Sequence, residues 1–312
     1  MADLQLKGLG VALVTPFKSD KSVDFDALRA MVEYVITGLA DYIVVLGTTG
    51  ETPALFADEK EQIKKEIIKV NNGRVPLVLG VGGNNTQAVV NELNSSDFSG
   101  FDAILSVVPY YNKPSQEGLY QHYKAIAEAS PLPVILYNVP GRTGVNMTAA
   151  TTLSLARDCN NIIGIKEASG NFAQIEEIIK NKPASFEVIS GDDSITYPLM
   201  TLGAVGVISV IGNAFPVQFG KMVRLCLEGK FQEALPIHWE FNELFNLLFV
   251  DGNPAGVKCT LNALGLIENE LRLPLVPTRL STNEKIHKLL QSLYTPSEDK
   301  LKEGLKRIWE YD

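Results

Sequence analysis

Alternation constrains this chain more than any other feature. Eight short apolar runs rich in β-branched residues recur along its first two-thirds, at residues 8–14, 42–46, 77–81, 103–107, 134–137, 162–166, 186–189 and 206–210. Stretches of helical length separate most of them. Residues 26–39 place Leu28, Met31, Val32 and Val35 on one face, and residues 58–70 open on Asp58-Glu59-Lys60-Glu61 like a capping box and end near Gly73. Apolar runs without polar alternation are strands buried on both faces, which is the condition of a parallel sheet. Eight βα units close naturally into a (β/α)8 TIM barrel, an α/β fold of about 250 residues. The alternative, an open doubly wound sheet, needs a glycine-rich nucleotide turn after a strand. Gly80-Val81-Gly82-Gly83 comes nearest, and Asn84-Asn85 breaks the pattern.

From residue 215 the pattern turns helical, with predicted helices over 215–228, 231–249, 254–264, 283–293 and 300–310. The expected organisation is a barrel domain over residues 1–230 and a helical appendage over 231–312 that packs onto it without a flexible linker. A chain that is 46% hydrophobic, with 25 Gly, 16 Pro and no low-complexity run, can build so large a core. The net charge is −8 and no basic stripe is present, which argues against nucleic acid as a partner. No apolar segment approaches the length of a membrane span, and Met1-Ala2-Asp3-Leu4 lacks the features of a signal peptide. Three scattered cysteines, Cys159, Cys226 and Cys259, read as reduced thiols of a cytoplasmic protein.

In such a barrel the chemistry belongs at the C-terminal ends of the strands. The sixth run, Ile162-Ile163-Gly164-Ile165-Lys166, ends on a lysine. Taken alone, Lys166 fits a side chain snorkelling to water. In an apolar site it would instead be a nucleophilic amine able to condense with a ketone. The second run ends in Gly47-Thr48-Thr49-Gly50-Glu51, a turn with hydroxyls and free N–H groups suited to a small carboxylate, or simply a glycine-rich turn. The fourth ends in Pro109-Tyr110-Tyr111-Asn112, and the fifth in Tyr137-Asn138-Val139-Pro140-Gly141-Arg142. Thr48, Thr49, Tyr111, Tyr137, Arg142 and Lys166 would thus share one face, combining a nucleophile, a hydroxyl relay and a planar anion clamp. The seventh run ends in Ser190-Gly191-Asp192-Asp193, read as a polar loop that orients substrate or caps the next helix; Ile208 of the eighth would wall a small ligand. A metal is not expected. The three histidines, His122, His238 and His287, are far apart and fall in predicted helices.

On these motifs, together with Gly206-Val207-Ile208-Ser209-Val210, Asn253-Pro254 and Lys258, the chain resembles the pyruvate-dependent class I aldolases, and among them the dihydrodipicolinate synthase family. The resemblance spans about residues 8–274 in the right order. It implies that Lys166 forms a Schiff base with pyruvate, without any other cofactor. Thr49 would hold the pyruvate carboxylate, with Ile208 and Gly191 beside it. Tyr137 would move protons, with Thr48 and Tyr111 completing a relay, the tyrosine matching Tyr111 coming from a neighbouring subunit of a homotetramer built as a dimer of dimers. Arg142 would receive the carboxylate of aspartate 4-semialdehyde, whose condensation with pyruvate gives 4-hydroxy-tetrahydrodipicolinate on the way to diaminopimelate and lysine. N-acetylneuraminate lyases and 2-keto-3-deoxy sugar-acid aldolases share the threonine turn, tyrosine and lysine. The lyase lacks an arginine matching Arg142 and its seventh-strand loop is not Gly-Asp-Asp, so both features favour the synthase reading. A catalytically silent barrel used as a binding protein would be expected to have lost Lys166, Tyr137 or the threonines. Lysine-inhibited members carry histidines and a glutamate where this chain has Ala57, Lys60 and Ala88, although Asn84 and Tyr110 remain; feedback by lysine is expected to be weak.

Overall fold

Strands buried on both faces need cover on both, and a closed barrel supplies it by turning one face on itself. The computed structural model describes residues 6–293. Its strands are β1 (Gly8–Ala12), β2 (Tyr42–Val45), β3 (Leu77–Gly80), β4 (Ala103–Val107), β5 (Val134–Asn138), β6 (Ile162–Glu167), β7 (Glu187–Ser190) and β8 (Gly206–Ser209). They form one closed parallel barrel in sequence order, β8 pairing back onto β1 with Gly10 opposite Ile208. The eight expected runs are the eight strands, with ends shifted by one or two residues. The fold is the (β/α)8 barrel that the alternation predicts.

Two apolar cores result. Ala12, Val44, Val78, Leu105, Ile135 and Ile189 belong to the cluster inside the barrel. The intervening residues, such as Val11, Ile43 and Val188, face the surrounding helices in a larger continuous cluster. Helix Phe25–Thr37 buries the four residues expected of it and is capped by Asp24, which accepts from the N–H of Ala27. Helix Ala57–Asn71 starts one residue earlier than predicted. Phe56 precedes it and has no acceptor, so only half of a capping box forms, with Glu59 accepting from the Phe56 N–H at 2.9 Å.

The helices after β8 join the outer core. The single helix expected over 231–249 is broken at Phe241 into Phe231–Glu240 and Asn242–Leu247. At the break Phe241 packs 5.2 Å from Phe215 and 6.1 Å from Phe219, while Phe245 lies 5.9 Å from Phe219. The chain gives up helical continuity there for aromatic contact with the helix that follows β8. Helices Ala255–Ala263 and Leu280–Leu293 complete the described chain. The helix predicted over 300–310 lies outside the described residues. No helix among the described residues is long and apolar enough to cross a membrane.

His122, on helix Gln116–Ala129, is buried. Thr86 Oγ1 and His122 Nδ1 are 2.9 Å apart, and Nε2 has no partner among the described residues. Burial pushes this imidazole down to about 4. An unfolded chain takes up the proton near pH 6.5, so the folded state excludes a proton that the unfolded state binds. The neutral ring's contribution is complete above about pH 6.5 and is lost as the pH falls toward 4, on the order of 1–3 kcal/mol. Replacing His122 with Gln should shrink the stability difference between pH 7 and pH 4.5, read by urea unfolding. An unchanged difference would place that acid sensitivity elsewhere.

Candidate active site

Whether Lys166 faces into the barrel depends on one extra residue. β5 and β6 pair with a shift in register between Val134 and Ile135: Val134 lies opposite Ile162, but Ile135 lies opposite Gly164. Ile163 is the bulged residue. It packs with the inner cluster while Ile162 and Ile165 both belong to the outer one. Strict alternation from Ile163 would turn residue 165 inward and Lys166 outward. The bulge changes that parity, so Lys166 pairs with Tyr137 and shares its inward face. Its Nζ lies 4.4 Å from the centre of the Tyr137 ring, and both residues are buried. Gly164 is required at the bulge, because a Cβ there would sit 2.7 Å from the carbonyl oxygen of Glu187.

The outward face of the same pairs carries a polar clamp. Asn138 lies opposite Glu167, and its Nδ2 donates to both carboxylate oxygens at 3.1 and 3.2 Å. The Ser169 N–H donates to Glu167 at 2.9 Å and Gln174 Nε2 at 3.3 Å, while the Met147 N–H donates to Asn138 Oδ1. Burial pushes the Glu167 carboxyl up against the pull of these donors. The clamp fixes the register in which Tyr137 and Lys166 stand side by side.

Gly191, at the end of β7, gives Lys166 its room. A Cβ there would meet Ala168 Cβ at 2.7 Å and Lys166 Cε at 3.0 Å. Its N–H is already spent on the Glu167 carbonyl at 2.8 Å. Ile208 lies on β8 in the inner cluster. The two aspartates are structural. Asp192 caps the next helix through the Ser194 N–H. Asp193 accepts from the N–H groups of Val210 and Ile211 at 3.0 and 2.8 Å, and burial pushes its carboxyl up to about 6. Among the described residues no group of three or more His, Cys, Asp or Glu is placed to share a cation.

The threonine turn after β2 is held from several sides. Leu46 and Glu51, neither a glycine, both take left-handed backbone, at φ 55° and 54°. Such residues cost about 1–3 kcal/mol each and persist only where the surroundings fix them. Thr52 Oγ1 donates to the Gly47 carbonyl at 2.9 Å and Thr15 Oγ1 to the Gly50 carbonyl at 2.7 Å. Glu51 forms an ion pair with Lys258 at 2.5 Å, both side chains being 0% exposed. Lys258 Nζ also donates to the Glu270 carbonyl at 2.8 Å, and the Arg272 N–H donates to Glu51 at 3.1 Å. Burial pushes the Lys258 ammonium down to about 8 despite Glu51. The sequence marks both residues but gives no sign that they meet. Thr49 is buried and Thr48 half-buried at this turn.

Two expected residues stand apart. Tyr111 is 87% exposed with φ 74°, and its backbone N–H donates to the Thr143 carbonyl at 3.2 Å. Arg142 lies on the short helix Pro140–Thr143 and is exposed to solvent. Lys166, Tyr137, Gly191 and Ile208 therefore gather at the mouth, while Tyr111 and Arg142 are exposed to solvent.

A buried lysine against a tyrosine inside the C-terminal mouth of a (β/α)8 barrel suits an enzyme that works on carbonyl substrates through an amine. The model of the dihydrodipicolinate synthetase family matches residues 5–293. A 4-hydroxy-tetrahydrodipicolinate synthase of Phocaeicola vulgatus is 66% identical over 293 residues, covering 94% of this chain and 99% of its own. Among solved structures, the dihydrodipicolinate synthase of Aquifex aeolicus superposes with a TM-score of 0.89 at 42% identity, over 93% of this chain and 99% of that one. Another, described as the first monomeric dihydrodipicolinate synthase variant, gives 0.89 at 39% identity, over 92% and 96%. The chain belongs to the dihydrodipicolinate synthetase family and is an enzyme with 4-hydroxy-tetrahydrodipicolinate synthase activity. The sugar-acid lyases kept open by the shared lysine and tyrosine are set aside by these relatives.

Because Gly191 leaves no space for a side chain beside Lys166 Cε, Gly191→Ala should lower turnover by about a hundredfold or more while leaving the circular dichroism spectrum unchanged. Near-normal turnover would show that Lys166 does not need its present position.

Proposed function

We propose that the enzyme condenses pyruvate with aspartate 4-semialdehyde through a Schiff base on Lys166. The placement of Lys166 Nζ over the Tyr137 ring, inside the barrel mouth, is the observation that carries this reading. The free amine of Lys166 adds to C2 of pyruvate, and the carbinolamine loses water to give the imine. Loss of a C3 proton then gives the enamine. Tyr137, whose ring lies against Lys166 Nζ, gives and takes these protons. Thr49 holds the pyruvate carboxylate, Ile208 closes over its methyl group, and Gly191 keeps the space open. The enamine C3 attacks the aldehyde carbon of the second substrate. That substrate's amine next attacks C2, displacing Lys166 and closing the ring. One water is lost overall per pair of substrates.

Arg142, exposed at the rim, suits the carboxylate of the semialdehyde, which arrives after pyruvate is bound. Thr48 and Tyr111 complete the proton path to solvent. Tyr111 is 87% exposed on left-handed backbone, and this supports a relay completed by the tyrosine of a second copy. The assembly proposed is the homotetramer, built as a dimer of dimers and working in the cytoplasm. Residues 1–230 carry the chemistry in this reading, and the helical region from residue 231 braces it.

In a coupled assay with a pyridine-nucleotide-linked reductase, the semialdehyde should be turned over rapidly and N-acetylneuraminate should not be cleaved. The reverse would refute the assignment of Arg142 as selector. Arg142→Ala should raise the semialdehyde KM or cut turnover by roughly tenfold or more, with the pyruvate KM within about twofold of the parent. Equal damage to both substrates would mean that Arg142 supports the loop and not the ligand. Ala57 and Ala88 are exposed and offer no polar partner to an amino acid, so lysine at low millimolar concentration should leave the steady-state rate unchanged. Strong inhibition would contradict this.

A further inference from the structure

Asn253 lies outside the barrel strands, in the turn before helix Ala255–Ala263, yet its side chain reaches the threonine turn. It is 5% exposed, and its Nδ2 donates to Oγ1 of Thr49, itself 2% exposed, at 3.0 Å. A hydroxyl has one proton to give and two lone pairs to receive with. The amide of Asn253 occupies one lone pair. No acceptor among the described residues takes the hydroxyl proton. The contact is bracketed by the Glu51–Lys258 ion pair, which joins the same two segments a few residues further along each.

We infer that Asn253 is a positioning residue for the keto-acid site: by donating to Thr49 it fixes the hydroxyl so that its proton is presented to the bound carboxylate. The inference rests on the reading of Thr49 as the group that holds the pyruvate carboxylate. It makes the helical region after the barrel a functional part of the site, since the residue that sets the polarity of Thr49 comes from there. The polarity is the essential point. An amide turned the other way would accept the Thr49 proton and deny it to the ligand, leaving a buried NH2 without a partner. In the orientation described it is the Oδ1 of Asn253 that is buried without a partner among the described residues, the smaller penalty of the two, since a carbonyl oxygen tolerates under-satisfaction better than a donor.

The variants Asn253→Ala, Asn253→Asp and Thr49→Val separate the possibilities. Asn253→Ala frees the hydroxyl to rotate and should raise the pyruvate KM about threefold to tenfold. Asn253→Asp can only accept from Thr49, and it adds a negative charge beside the substrate carboxylate. It should raise the pyruvate KM by roughly thirtyfold or more, with the semialdehyde KM within about twofold in both variants. Tolerance of Asp within about threefold would show that Thr49 donates to residue 253, and would overturn the inference. So would an equal rise in both substrates' KM values. If Asn253→Asp does not fold, the Thr49→Val, Asn253→Ala double-mutant cycle decides. Asn253→Ala should add almost nothing once Thr49 is Val. Independent effects would overturn the role of Asn253 and leave that of Thr49 standing. A Thr49→Val enzyme with an unchanged pyruvate KM would overturn both.

Discussion

The site depends on the register between β5 and β6. A parallel sheet offers each residue one of two faces, and Lys166 reaches the inner one only because Ile163 is inserted as an extra residue. The bulge is enforced locally by Gly164, where the backbone of Glu187 comes too close for any side chain. It is enforced further along by the Asn138–Glu167 clamp on the outer face. Inward chemistry at Tyr137–Lys166 and outward hydrogen bonding at Asn138–Glu167 come from consecutive residue pairs of one register. The buried carboxylate of Glu167 is thus a structural part of the lysine site although it points away from it.

The second support is the buried pair Glu51–Lys258. Breaking such a pair typically costs about 3–5 kcal/mol, because the remaining charge stays buried. Here it joins the turn after β2 to the helical region beyond the barrel, and with Arg272 it holds Glu51 in left-handed backbone. The threonine turn is consequently braced by residues from both ends of the chain. A barrel without the later helices would have Glu51 with no counter-charge and Thr49 with no fixed partner.

Much of this was legible in the sequence, for physical reasons. Runs such as Val134–Asn138 are apolar without alternation because both faces are covered, so the strands and their parallel pairing could be read directly, while closure rested on there being eight of them and no nucleotide turn. The side that Lys166 faces could not. Ile162 and Ile163 are both suited to either face, and nothing in an apolar pair announces which residue is the insertion. The Glu51–Lys258 contact is hidden for another reason: a charged residue looks solvated until its partner is found in space. The sequence places Gly191 at a strand end beside the ligand, but the need for glycine there, with Lys166 Cε 3.0 Å from where a Cβ would stand, is visible only in space. The break at Phe241 follows from aromatic packing on Phe215 and Phe219, which helical periodicity does not encode.

Lys166, turned inward by the bulge, is the proposed carbonyl-binding amine. Incubating the enzyme with pyruvate, reducing with borohydride and mapping the adduct by peptide mass spectrometry tests it most directly. A single reduced pyruvate adduct on Lys166 is expected, lost in Lys166→Ala with the fold retained. An adduct on another lysine, or condensation that proceeds undiminished in Lys166→Ala, would contradict it.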